Sequence, residues 1–103
     1  MGEQYIQTEF KGGLGTITLN RPPVNVLNIA MMEEINGVLK AWEGKKDLKV
    51  LLFKGLGKCF SAGVDVGEHM GDLAPKMIEV FHRMFRLLAK FEIPTVASVF
   101  RNV

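Results

Sequence analysis

Hydrophobic and polar positions alternate near the start of the chain, Ile6, Thr8 and Phe10 against Tyr5, Gln7 and Glu9. Period-two alternation is the signature of a half-buried strand. Lys11-Gly12-Gly13 supplies the positive φ values of a hairpin turn, and Leu14 to Leu19 reads as the partner strand. Asn20-Arg21-Pro22-Pro23 then breaks the sheet, since two prolines cannot sit inside a central strand. From Asn28 the period lengthens to that of a helix: Met31, Ile35, Val38, Leu39 and Trp42 share one face, Asn28 is placed to cap it, and Gly44 to stop it. Leu48 to Phe53 is a short apolar run that suits a strand buried on both faces.

A second helix is expected from Leu73 to Phe91, capped by Asp72, with Pro75 in its first turn. Its apolar stripe is Met77, Phe81, Met84, Phe85, Leu88 and Phe91. Pro94 prevents continuation, and Thr95 to Phe100 reads as a last strand. The order β-β-α-β-loop-α-β predicts a single α/β domain over residues 1–103 with a parallel sheet. The loop from Gly55 to Gly71 then falls at the carboxyl end of the third strand, where open α/β sheets bind ligands.

Composition narrows the function classes. The chain has 103 residues, 48% apolar and 23% charged, the balance of a folded domain. A net charge of +2, with no Lys/Arg block, argues against nucleic acid as a partner. The lone Cys59 excludes an internal disulfide framework and fits a reducing, cytoplasmic setting. No apolar run reaches membrane-span length, the N-terminus lacks a secretory pattern, and Ile6 stands where a myristoylation signal needs Ser or Thr.

Several motifs fail on inspection. Gly57-Lys58 lacks the upstream glycine of a phosphate-binding loop, because Leu52 is there, and Cys59 replaces the Ser or Thr. Gly55-x-Gly57 lacks the third glycine of a dinucleotide fingerprint, since Phe60 takes that place. Ser61 is not in a nucleophile elbow, because Cys59 occupies the first glycine position. His69 and His82 lie on different elements without metal-ligand spacing, so neither a metal nor a catalytic role is expected of them. The basic helix positions Lys76, Arg83, Arg86 and Lys90 read most simply as a solvated face, the sharper alternative being attraction of a polyanion. Met31, Met32, Met70, Met77 and Met84 read mostly as core filler.

What remains is the loop itself. Ser61-Ala62-Gly63 just past a strand lets a ligand approach the backbone, and exposed N–H groups there can bind an oxyanion. Three segments carry a family resemblance in the right order. Leu19 to Leu27 (LNRPPVNVL), Gly57 to Val66 (GKCFSAGVDV) and Phe91 to Val99 (FEIPTVASV) resemble signature stretches of the enoyl-CoA hydratase/isomerase (crotonase) superfamily. The wording FSAGVDVGEHM is similar to the cyclic dienoyl-CoA hydratases of anaerobic aromatic degradation.

The resemblance implies a crotonase-like (ClpP/crotonase-type) fold with a ββα-repeat core, here its N-terminal part with four strands and two main helices. It implies an acyl-CoA thioester substrate, with CoA part of that substrate and no separate cofactor or metal. The thioester carbonyl would sit between two backbone N–H donors, the first carried over to Val64. One well-placed donor of this kind stabilises a developing enolate oxygen by roughly 3 kcal/mol. Ala62 and Gly63 would keep the thioester against the backbone, Val64, Asp65, Val66 and Gly67 would line the acyl and pantetheine path, and Val24 and Val26 would flank the CoA moiety.

The departures from the family pattern matter as much. The second donor and the catalytic carboxylates of the family follow the FEIPTVASV-type strand, where this chain has Phe100-Arg101-Asn102-Val103, with Arg101 at a usual glycine. Gly67 stands where many relatives carry lysine, and Glu68 is not expected to act as a replacement acid or base. Family members are more than twice as long and assemble as trimers or hexamers. The expectation is therefore the N-terminal part of an acyl-CoA hydratase or isomerase that is inactive alone. The alternative from another class is a truncated, non-catalytic protein-interaction module.

Overall fold

A computed structural model describes residues 5–21, 25, 27–56 and 70–98. Strand β1 (Ile6–Lys11) and strand β2 (Leu14–Leu19) form the expected hairpin, antiparallel with Ile6 opposite Leu19 and Lys11 opposite Leu14. Gly12 and Gly13 both take positive φ, 59° and 84°, which side chains would resist and a tight right-twisted hairpin turn requires. Helix α1 (Ile29–Trp42) begins where predicted, with the Asn28 side-chain oxygen accepting from Met31 N at 2.7 Å. Such a cap contributes about 1 kcal/mol.

Strand β3 (Val50–Gly55) lies parallel to β2, and strand β4 (Thr95–Ser98) parallel to β3, so the sheet runs β1-β2-β3-β4. Helix α2 (Ala74–Ala89) joins them and packs beside α1. The core is the layer between sheet and helices. Ile17, Met31, Met32, Ile35, Leu39, Leu51, Met77 and Val80 are essentially inaccessible there. A Cβ on Gly15 would lie 2.6 Å from the Trp42 ring, so glycine is what lets α1 end against the sheet; Trp42 then meets Phe10 edge-on at 6.0 Å.

Five expectations need correction. β3 starts at Val50, because Lys49 N and Val50 N both donate to Gly13 O in the entry turn, and it continues to Gly55 because the ladder follows β2 to Leu19. It is not buried on both faces: Leu51 is buried, while Val50, Leu52 and Phe53 are half-buried and Lys54 exposed. Asp72 does not cap α2; it lies in a single 3-10 turn (Gly71–Leu73), and the residue before the helix, Leu73, makes no side-chain cap bond. The buried stripe of α2 is Met77, Val80, Met84 and Leu87, with Phe85 52% exposed, because the helix packs chiefly against α1. Met70, 65% exposed, is no core residue. Beyond Ser98, the predicted strand residues Val99 and Phe100 lie outside the described residues.

Candidate functional site

Parallel strands β2, β3 and β4 end on one side of the sheet, and the chain leaves β3 there toward the glycine-rich loop. The exit point is held on both sides. Leu56 N donates to Leu19 O at 2.8 Å, carrying the β2–β3 ladder one residue past Gly55. Leu56 O accepts from the Asn25 side-chain nitrogen at 3.0 Å. With both polar atoms of Leu56 bonded, the loop that follows departs from a fixed point.

Asn25 is the centre of this arrangement. It is fully buried and sits at φ 49°, a left-handed conformation that Asn tolerates better than most side chains. Its Oδ1 accepts from Arg21 N at 2.7 Å, and its own N–H donates to Arg21 O at 2.8 Å, closing the turn after β2 on itself. The Arg21 guanidinium carbon lies 5.6 Å from the centre of the Tyr5 ring. Tyr5 N donates to Glu34 Oε1 at 2.8 Å and Tyr5 O accepts from Asn20 N at 2.8 Å. The turn, the hairpin and α1 therefore brace one another around the loop exit. In the sequence, Asn25 stands inside LNRPPVNVL with no partner that spacing alone reveals. The signal was an Asn in a proline-broken turn, the residue type that accepts αL and bonds nearby backbone.

Below the exit lies an apolar cavity of about 320 Å³ between the sheet and α2, walled among others by Leu19, Leu27, Phe53, Phe81, Phe85 and Ala97. Leu19 links the two features: its side chain lines the cavity and its carbonyl holds Leu56. Phe81 and Phe85 meet edge to face at 4.9 Å on the helix side. A cavity of this size and lining accepts an apolar group and offers no charged side chain.

The sequence-assigned contact residues Val24, Val26, Ala62, Gly63, Val64, Asp65, Val66 and Gly67 lie outside the described residues, as do Cys59, Ser61, Glu68 and His69. His82 is exposed on α2, away from the cavity lining. Among the described residues no group of three His, Cys, Asp or Glu side chains could hold a metal, and no helix is long and apolar enough to cross a membrane.

Comparison with known proteins fits this geometry. The family model described as Enoyl-CoA hydratase/isomerase matches residues 9–100. A probable enoyl-CoA hydratase of Rhizobium meliloti is 32% identical over 101 residues, 96% of this chain and 39% of that protein. A mitochondrial 3-hydroxyisobutyryl-CoA hydrolase of Gallus gallus is 47% identical over 58 residues, 54% of this chain and 15% of that one. Among solved structures, Pseudomonas aeruginosa DspI superposes with a TM-score of 0.84 at 27% identity, over 92% of this chain and 38% of that one. An enoyl-CoA hydratase/isomerase from Mycobacterium paratuberculosis superposes with a TM-score of 0.78 at 30% identity, over 92% of this chain and 41% of that one. The mixed four-strand sheet with two helices is thus the crotonase-type fold, as expected. The chain spans about two fifths of the length of relatives that it matches end to end.

Proposed function

This chain belongs to the enoyl-CoA hydratase/isomerase family, and from that premise we propose that it is the acyl-binding, N-terminal part of a hydratase or isomerase acting on an α,β-unsaturated acyl-CoA. The observation that carries the reading is the apolar cavity set directly under the pinned exit of the glycine-rich loop. An acyl group occupies the cavity, and its thioester carbonyl lies above it against the loop backbone. The carbonyl oxygen accepts a hydrogen bond from Val64 N–H. That donor strengthens its hold as negative charge moves onto the oxygen, which is the condition for lowering a barrier. Ala62 and Gly63 leave room for the thioester, Asp65, Val66 and Gly67 continue the path of the pantetheine arm, and Val24 and Val26 flank the CoA on either side of the buried Asn25.

On the family resemblance, the second N–H donor and the carboxylates that move protons come from sequence following the FEIPTVASV strand. These 103 residues therefore bind without turnover. CoA enters as part of the substrate, and no separate cofactor is invoked. On the same resemblance the whole protein is a cytoplasmic homo-oligomer, a trimer or hexamer.

A second reading, a non-catalytic interaction module, is favoured by one observation: every residue of β4 is exposed, Val96 at 46%, beside the half-exposed Phe85. Open strand edges and apolar faces invite association. Titration of the purified chain with crotonyl-CoA by calorimetry, with the enoyl absorbance followed in the same solution, separates the two. The expected result is saturable binding with no loss of the enoyl chromophore. Hydration above the buffer blank overturns the placement of the acid–base groups outside this chain. Absence of binding, together with concentration-dependent self-association, supports the interaction module instead.

A further inference from the structure

The apolar cavity has a direction as well as a size. Its lining begins at Leu19, which ends β2 opposite Gly55, and reaches Thr95, which starts β4 opposite Leu51. Going back along β3 from Gly55 to Leu51 covers four residues, about 13 Å of strand. Helix α2 forms the other wall, running from the loop side down to the foot of β4, and Phe81 to Leu88 cover about 10 Å of it. The mouth therefore lies at the loop exit, where Leu19 O holds Leu56, and Leu88 and Thr95 stand at the deep end.

Length and volume ask for the same occupant. Single bonds of about 1.5 Å advance an extended chain by roughly 1.3 Å each, so about 13 Å takes about ten carbons. An apolar cavity of about 150 Å³ admits a six-carbon ring, and this one, at about 320 Å³, has room for about twice as many carbons. A crotonyl tail would leave most of it empty, and an empty apolar volume forfeits the contacts of its walls.

The lining restricts the occupant to hydrocarbon. Among the described lining residues none is charged, and only Thr95, at the deep end, carries a polar side-chain atom. A hydroxylated or ionised tail would be stripped of water there without a partner. Ala97 is the one small side chain in this wall. It sits opposite Phe53, midway in register between the Leu19 and Thr95 levels, so the deep half is reached across its methyl group. The flank beyond β4 is open, since Phe85 and Ala97 are both exposed.

We propose that the cavity takes a straight medium-chain 2-enoyl group of about eight to ten carbons, and that Ala97 sets its usable depth. The inference rests on the acyl-binding reading of the same cavity and adds to it the length and character of the acyl group.

The test is calorimetric titration of the chain with free CoA and with straight trans-2-enoyl-CoA thioesters of four, six, eight, ten and twelve carbons, each below its micelle concentration. Affinity is expected to rise about two- to fourfold per added carbon up to ten, and to level off at twelve. Fourfold is the yield of one fully buried methylene, and the lower figure allows for the open flank. In Ala97→Leu the rise should stop after about six carbons, leaving the ten-carbon thioester about tenfold or more weaker than in wild type. Ala97→Val, a side chain that suits a strand, should give a smaller loss in the same direction and serves if leucine perturbs β4. A series that binds but gains less than about twofold from four to ten carbons overturns the length assignment and leaves acyl-CoA binding standing. A rise undiminished in both variants is adsorption of long chains elsewhere and overturns it equally. If no thioester binds more tightly than free CoA, the acyl-binding reading falls and the length assignment with it.

Discussion

Replacing Asn25 with alanine is expected to remove about 3–5 kcal/mol of folding stability, read as a shift in the urea midpoint by circular dichroism. The size follows from three losses at one position. The Arg21 N–H loses the acceptor at 2.7 Å, and the Leu56 carbonyl loses the donor at 3.0 Å. Each half-buried group stranded in this way costs about 1–3 kcal/mol. The third loss is conformational: alanine at φ 49° carries a left-handed penalty of about 1–2 kcal/mol. Asn25→Gly removes only that last term, so it should recover about 1 kcal/mol relative to Asn25→Ala. Freeing Leu56 also unfastens the loop exit, and crotonyl-CoA binding is expected to weaken about tenfold. A loss below about 1 kcal/mol in Asn25→Ala would mean that the clamp contributes little.

The second large effect is expected at Ile17. It is fully inaccessible, lies in the central strand β2 between Thr8 and Phe53 in register, and belongs to the cluster that includes Ile35 and Leu39 of α1. Ile17→Ala removes three carbons from a site enclosed by both neighbouring strands and the helix layer, where collapse around the void is limited. The expected cost is about 2–5 kcal/mol, against about 0.5–1.5 kcal/mol for Ile17→Val. In a chain of this length the alanine variant should melt more than about 10 °C lower. A domain of this kind has only about 5–15 kcal/mol to lose. Near-equal melting temperatures for the two variants would show that the layer between β2 and α1 repacks freely.

Features set by neighbours in sequence were legible before the structure. The Gly12-Gly13 hairpin, the Asn28 cap and the Leu14–Leu19 strand depend on local φ preference, local hydrogen bonding and period two, all written in short stretches. Features set across the fold were not. Val80 and Leu87 are buried on α2 while Phe85 stays half-exposed at the apolar cavity, because α2 packs chiefly on α1 and its period alone does not say which side meets that helix. The length of β3 depended on where its partner β2 ends. Asn25 was invisible as a clamp because its partner Leu56 lies 31 positions away, a separation no spacing rule reaches. The cavity was hidden for the same reason, since Leu27, Phe53, Phe81 and Ala97 come together only through the parallel topology. The family, by contrast, was readable from three short strings, and it matches over residues 9–100.

The basic face of α2 reads in the sequence as a solvated surface, and Lys76, Arg83, Arg86 and Lys90 are all exposed in the fold. Arg83, Arg86 and Lys90 also line an open groove with Lys40 and the buried Asn36 of α1. Lys76, read with them in the sequence, instead pairs with Glu33 and Glu79 outside that lining.

The proposed role of the glycine-rich loop rests on one hydrogen bond, and the thioester carbonyl itself can report it. A carbonyl oxygen that accepts a preorganised N–H is polarised, and its stretching frequency falls relative to the free thioester. The decisive measurement is the difference vibrational spectrum of crotonyl-CoA bound to wild type, Val64→Ala and Val64→Pro. Alanine keeps the backbone N–H and proline deletes it. The account predicts a lowered carbonyl frequency in wild type and Val64→Ala that returns toward the free value in Val64→Pro. An undiminished shift in Val64→Pro would contradict it.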